Sequence, residues 1–224
     1  MSTIRLLGTI LKNKLSQPAP VTKYHNQNVP LKLWEGSIVD IDITTKILAE
    51  SAGSNIPNIK NSLSVIAVGE FIIHGVKSFR SYLSDERSFI QTTPTKNGVE
   101  CRLYTLERDE QYADENNTWE FLLDKEEGVL GWPLFEVYKP DGTPVQYARM
   151  WTPSDKRIDP PCVTEIISDE TGKRHTSSHY IMQYGRQLSD TINEYLIPEI
   201  TDETALNLWI GIDVLPEMIT VIPA

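Results

Sequence analysis

Two short stretches share a pattern that could hold an anion. Val145-Gln146-Tyr147-Ala148-Arg149-Met150 is echoed by Met182-Gln183-Tyr184-Gly185-Arg186-Gln187. Residues i and i+2 of a strand share a face, so Tyr147, Arg149 and Trp151 would line one side of one strand, and Tyr184 and Arg186 one side of another. A guanidinium held between aromatic rings can grip a carboxylate or phosphate through two parallel hydrogen bonds, or cap an acidic groove on a partner. The plainer alternative is an arginine–aromatic ladder that stabilises a sheet and offsets an acidic body.

Other spacings suggest less. His175 and His179 would share a metal on a helix, but the Gly172 turn before them and Thr176-Ser177-Ser178 between them favour strand or loop. Four strand residues span roughly 13 Å, too far for one ion, although Glu165 and Asp169 could lie across the same hairpin. Asp40 and Asp42 alternate with Val39, Ile41 and Ile43, which fits paired carboxylates or simply a half-exposed strand. The chain has no G-x-G-x-x-G, no G-x-x-x-x-G-K-[ST], no H-E-x-x-H and no G-x-S-x-G. No serine is marked as an activated nucleophile. No catalytic residue, metal or cofactor is expected, and an enzyme is unsupported.

A third candidate is the N-terminal arm. Residues 2–15 have helical periodicity, with Ile4, Leu6, Leu7, Ile10, Leu11 and Leu15 on one half of the wheel. Arg5, Gly8, Thr9, Lys12 and Asn13 take the other half, and Lys14 intrudes on the apolar side. Ile4, Arg5, Leu7, Leu11, Lys12 and Lys14 are therefore candidates for contact with an anionic membrane or an acidic-rimmed groove. Membrane contact through residues 1–15 alone would be weak, at about 1 kcal/mol per basic residue. Docking on its own domain is the plainer alternative.

The elements that must position these residues are mostly strands. After the arm, Ser16-Gln17-Pro18-Ala19-Pro20 and the polar string 24–28 form a linker, so residues 1–28 stand apart from a single acidic domain over 29–224. Residues 44–52 have helical spacing, with Gly53 as a stop. Strands are expected at 63–68 and 70–73, with Gly69 as a bulge, and at 79–83, 88–93 and 99–106, the last after an Asn97-Gly98 turn. A short helix is expected at 117–123 within the acidic stretch 107–127. One hairpin runs through Pro140-Asp141-Gly142, from 134–138 to 145–151, and another through residues 170–173, from 163–168 to 179–188. Strands at 206–214 and 218–222 close the chain. The expected fold class is α+β: predominantly antiparallel sheet built from hairpins, with a few short helices and an amphipathic N-terminal helix.

Composition narrows the function classes. Of 224 residues, 21 are Lys or Arg and 31 are Asp or Glu, giving a net charge of −10, which opposes nucleic-acid binding through phosphate neutralisation. Residues 1–34 carry five bases and no acid, so the rest of the chain stands at −15. A basic arm on an acidic body is the most informative asymmetry. Two cysteines, Cys101 and Cys162, are too few for a disulfide scaffold, and no apolar run approaches a spanning helix. The apolar start breaks at Gly8-Thr9 and stops at Lys12, a poor signal peptide, so a cytoplasmic location is expected.

Gly131-Trp132 before a strand, the Asp141-Gly142 turn, the Tyr147-x-Arg149-x-Trp151 strand, the Met182-x-Tyr184-x-Arg186 strand and Gly211-Ile212-Asp213 resemble the YjfK-like family. The resemblance covers roughly residues 30–215 and leaves the arm out. It implies a bacterial protein of about this length without assigned catalytic residues. Such proteins tend to be encoded beside a phage-shock-protein-A-like coiled-coil protein that acts on membranes. The resemblance therefore implies an accessory protein at the inner membrane face, with a membrane-associated coiled-coil partner. Three readings stand: a non-catalytic interaction module, an anionic-ligand or enzymatic domain clamped by Arg149 and Arg186, and a homo-oligomeric structural subunit. The clamp requires both arginines to converge on one pocket with free donors.

Overall fold

Turns set the first level of order. Gly98 (φ 135°) and Gly172 (φ 78°) adopt left-handed backbone that a side chain would strain, and each closes a hairpin. The computed structural model describes residues 26–56, 62–111, 123–124, 128–139, 141–202 and 205–224. The expected N-terminal helix and almost all of the expected helix at 117–123 lie outside these.

In chain order the elements are β1 (Ile38–Ile41), α1 (Ile43–Ser51), β2 (Ser62–Ile73), β3 (Val76–Leu83), β4 (Ser88–Thr95), β5 (Gly98–Gln111), β6 (Leu134–Tyr138), β7 (Pro144–Arg149), β8 (Cys162–Asp169), β9 (Arg174–Ile181), β10 (Tyr184–Ser189), β11 (Ile192–Thr201), β12 (Ala205–Asp213) and β13 (Ile219–Ile222). Eight strands, β2-β3-β4-β5-β12-β11-β9-β8, close on themselves through the β2–β8 and β11–β12 ladders into an antiparallel barrel. Strands β10, β7 and β6 branch from β11 as an arm, while β1 and β13 add to the β2 side.

The fold is therefore mostly β, not the expected α+β mixture. Among the described residues α1 is the only α-helix of more than one residue, beside two three-residue 3-10 turns. The hairpins were expected one by one. Their closure depends on pairs far apart in sequence, such as Leu103 with Ile212, which no local pattern reports. Asp42 caps α1 by accepting from Thr44 N at 2.8 Å, so the strand ends at Ile41 and Asp40 and Asp42 do not form a carboxylate pair. That hydrogen bond, ahead of the Thr44 side chain, lowers the Asp42 pKa.

The expected return strand at 179–188 is two strands. The chain breaks at Met182-Gln183, where β9 stays in the barrel and β10 turns into the arm. Strand β11 passes the break with Pro198, whose carbonyl accepts from Met182 N at 3.3 Å. The backbone N of a strand residue lies on the same edge as its C=O, so the missing N–H of Pro198 falls where the neighbour changes from β9 to β10.

Two apolar layers follow. Ala67, Phe71, Tyr82, Phe89, Tyr104, Ile167, Ile197 and Trp209 fill the barrel lumen. Outside it, Leu196, Ile210, Leu103 and Cys101 pack in one cluster with Tyr147 and Tyr184 of the arm and Val39 and Ile219 of the β1–β13 pair. The arm thus lies over the outer wall of the barrel, with one face inward. Burial raises the Cys101 thiol to about 11.

Candidate functional site

Strand alternation turns four ionisable residues into the lumen: Arg80 on β3, Glu165 on β8, His179 on β9 and Glu199 on β11. All four are at most 2% exposed. Arg80 Nη1 lies 2.7 Å from Glu199 Oε2 and 3.5 Å from Glu165 Oε2. His179 bridges the same acids, with Nε2 at 3.1 Å from Glu165 and Nδ1 at 3.1 Å from Glu199. The Tyr82 hydroxyl lies 2.9 and 3.0 Å from the two Glu165 oxygens, and the Arg80 guanidinium sits 5.1 and 4.8 Å from the ring centres of Phe71 and Phe89. Two cationic groups and two acids thus face one another in the buried interior.

The electrostatics are reciprocal. Burial pulls the His179 pKa down, but Glu199 and Glu165 outweigh it and hold the imidazolium up to about 9. Burial pushes Glu199 up, yet Arg80 and His179 keep it well below the usual carboxylate range. Burial and then Glu165 push the Tyr82 phenol far above its ordinary value. Acids, a histidine and a tyrosine in one place could do proton transfer if a substrate reached them. The gap bounded by Phe71, Arg80, Val163, Glu165, His179 and Ile181 is too small to admit a water molecule. Their charges are spent on one another. The link between Glu165 and His179 was legible as a cross-hairpin neighbour, whereas Glu199 lies in a stretch without helical or alternating signal, and Arg80 reads as an ordinary strand residue.

Four of the five candidate residues, Tyr147, Arg149, Tyr184 and Arg186, lie together on the β7–β10 pair, whereas Trp151 follows the end of β7 and packs against His74. Strands β7 and β10 pair antiparallel with Tyr184 opposite Arg149, so each arginine lies beside the other strand's tyrosine. The Arg186 guanidinium is 5.3 Å from the centre of the Tyr147 ring. Both cations are already engaged. Arg186 Nε donates to Glu194 Oε1 at 2.7 Å and Nη2 donates to Gly53 O at 2.9 Å. Glu194 is fully buried and also accepts from the Tyr147 hydroxyl at 2.6 Å, Ser54 Oγ at 2.5 Å and Asn55 N at 2.6 Å. Burial, then Glu194, raises the Tyr147 phenol.

Arg149 donates to backbone carbonyls: Gly131 O, Lys156 O (2.9 Å), Thr152 O (3.0 Å) and Ser154 O (2.8 Å). It ties down the loop after β7. The Tyr184 hydroxyl accepts from Gly131 N at 3.0 Å, and the partly buried Trp151 meets His74 edge-on at 5.3 Å. The geometry is that of a structural clasp. The arm candidates Ile4, Arg5, Leu7, Leu11, Lys12 and Lys14 lie outside the described residues.

A lysine cannot present the forked donors of Arg149, and alanine presents none. Arg149→Ala should release residues 150–158 and make Lys156-Arg157 a tryptic site cut at least about tenfold faster than in the parent, since hydrogen bonds from a charged donor contribute about 1.5–3 kcal/mol each. Timed digestion followed by mass spectrometry measures it. Unchanged cleavage would mean that the loop is held by other contacts.

No curated protein and no solved structure matches the chain. A family profile does match over residues 9–219, and on that match the chain belongs to DUF2491, a family of proteins of unknown function.

Proposed function

We propose that this chain is a non-catalytic interaction module whose barrel is a rigid support and whose outer arm meets a protein partner. One contrast carries the proposal. The polar groups that could do chemistry are buried and mutually neutralised, whereas Trp132, Leu134, Tyr138 and Met150 on or beside β6 and β7 are exposed by 43%, 55%, 60% and 48%. Exposed apolar side chains grouped on one element mark interaction surfaces. The anionic-ligand clamp at Tyr147, Arg149, Trp151, Tyr184 and Arg186 has less support, because its donors serve Glu194 and loop carbonyls.

The partner we propose is a membrane-associated coiled-coil protein, and the place is the cytoplasmic face of the inner membrane. Support for both comes from the YjfK-like resemblance and from the basic segment before Glu35. Purified phage-shock-protein-A-like coiled-coil protein, mixed with anionic vesicles, should retain the full chain on sedimentation. Arg5→Gln, Lys12→Gln and Lys14→Gln together should weaken the salt-sensitive part, and Leu134→Glu with Tyr138→Glu should abolish the rest. Equal retention of the parent and the Leu134/Tyr138 variant would refute the arm as the partner surface.

A further inference from the structure

Among the described residues strand β6 ends the path of paired strands and has a neighbour, β7, on one edge only. Its phase is fixed at both ends. Arg149 N donates to Pro133 O at 2.8 Å and Lys139 N donates to Thr143 O at 2.9 Å. Between them Phe135 and Val137 turn their backbone groups toward β7, so Leu134, Glu136 and Tyr138 direct their N–H and C=O groups to the open edge. The side chains of these three residues also share the face turned away from the barrel, in the order apolar, acidic, apolar. Gln146 Nε2 donates to Glu136 Oε2 at 3.2 Å and holds the carboxylate at the centre of that row.

Resting on the interaction-module reading, we infer that β6 is a strand-addition site, and that its occupant is an extended segment of a partner protein with an apolar, a basic and an apolar residue at positions i, i+2 and i+4. An unpaired row of backbone donors and acceptors is satisfied by another extended backbone; a helix has no free groups along its sides to offer. Directly opposed residues on neighbouring strands interact through their side chains, so Glu136 selects a cation, while Leu134 and Tyr138 select apolar partners. The −15 charge of residues 35–224 favours a cationic partner likewise. A second copy is a poor occupant. The two-fold antiparallel register that pairs all three open residues sets Glu136 against its own symmetry mate, and shifted registers give up part of a five-residue strand.

The test uses the full chain labelled with nitrogen-15 and two capped peptides, Thr-Val-Thr-Lys-Thr-Ile-Thr and the same sequence with Glu for Lys. The lysine peptide should bind saturably and slow hydrogen exchange at the amides of Leu134, Glu136 and Tyr138. The glutamate peptide should bind about tenfold more weakly. In Glu136→Lys the preference should reverse. In Glu136→Pro the β7 ladder stays intact, because the lost N–H points outward, but amide protection by either peptide should vanish. Absence of binding at millimolar peptide, binding that leaves the three amides unprotected, or indifference to the central charge would overturn strand addition. If the peptides fail while the coiled-coil partner is still lost in the Leu134/Tyr138 variant, only strand addition falls. If that partner also fails to bind the parent chain, the interaction module falls with it.

Discussion

Glu199→Ala should destabilise the protein by about 3–5 kcal/mol in urea unfolding at pH 6, since removing one partner strands Arg80 and protonated His179 in a buried lumen. The pH dependence gives a sharper test. His179 has a folded pKa near 9, above the ordinary 6.5, so its contribution is fully present below about pH 6.5 and is lost as pH rises to about 9. The full loss is about 3 kcal/mol. Glu199 has a depressed pKa, so its contribution is present above the ordinary carboxylate value and is lost as pH falls below it. Stability should therefore be flat between roughly pH 4.5 and 6.5 and fall on both sides. Buried Cys101 and the buried tyrosines, all shifted upward, weaken the fold only above about pH 9. The decline between pH 6.5 and 9 is thus assigned to His179, and His179→Gln should flatten it. A parent protein equally stable at pH 6 and pH 9 would show that the imidazolium is not held by the two glutamates.

The cluster also bears on why this sequence closes a barrel. Well-packed apolar residues could often replace a buried ionic group without loss of stability, so stability alone does not explain it. Its members come from β3, β8, β9 and β11, four of the eight barrel strands, and slipping any of those strands by one residue would turn its charge to the outer wall. A buried polar network that specifies register fits that arrangement.

Local chemistry made most of the hairpins legible. Asn97-Gly98, Asp141-Gly142 and residues 170–173 turned where expected, and the helix expected at 44–52 runs over Ile43–Ser51. Strand β11 was silent, because Pro198 and Glu194 and Glu199 break the apolar alternation of a stretch that is nonetheless buried. Those residues tolerate the position through groups distant in sequence, namely Met182 N for Pro198, Arg80 for Glu199, and Ser54, Asn55 and Tyr147 for Glu194. Closure was illegible for the same reason, and an open sheet with helices looked equally good from the hairpins. Tyr147 and Arg149 of β7 do stand against Tyr184 and Arg186 of β10. Their partners were not readable, since Glu194, which binds Arg186, is fixed by Tyr147, Ser54 and Asn55 from far back in the chain, and the Gly131 carbonyl that holds Arg149 has no side-chain signature. An arginine flanked by aromatics reads the same whether it awaits a ligand or holds its own loop.

Gly69 is the residue whose role changed most, and it carries the second large effect. The expected bulge lies instead between Val65 and Ala67, and Gly69 pairs regularly with Arg80 and Ile167. Its lack of a side chain serves the lumen: a Cβ there would lie 1.6 Å from Glu165 Oε1 and 2.6 Å from its Cδ. A flexible surface glutamate could swing away from such a contact. Glu165 is gripped by Tyr82, Arg80 and His179, so moving it would break the cluster. Gly69→Ala should cost about 3 kcal/mol or more, although alanine suits a strand interior better than glycine. The double-mutant cycle separates this from any backbone effect. In a Glu165→Ala background, itself destabilised, adding Gly69→Ala should cost less than about 1 kcal/mol because the clashing atoms are gone. Urea unfolding of the four proteins measures the coupling. Additive costs would show that Gly69 is required by its backbone, and that the close approach of Glu165 to β2 does not hold the lumen together.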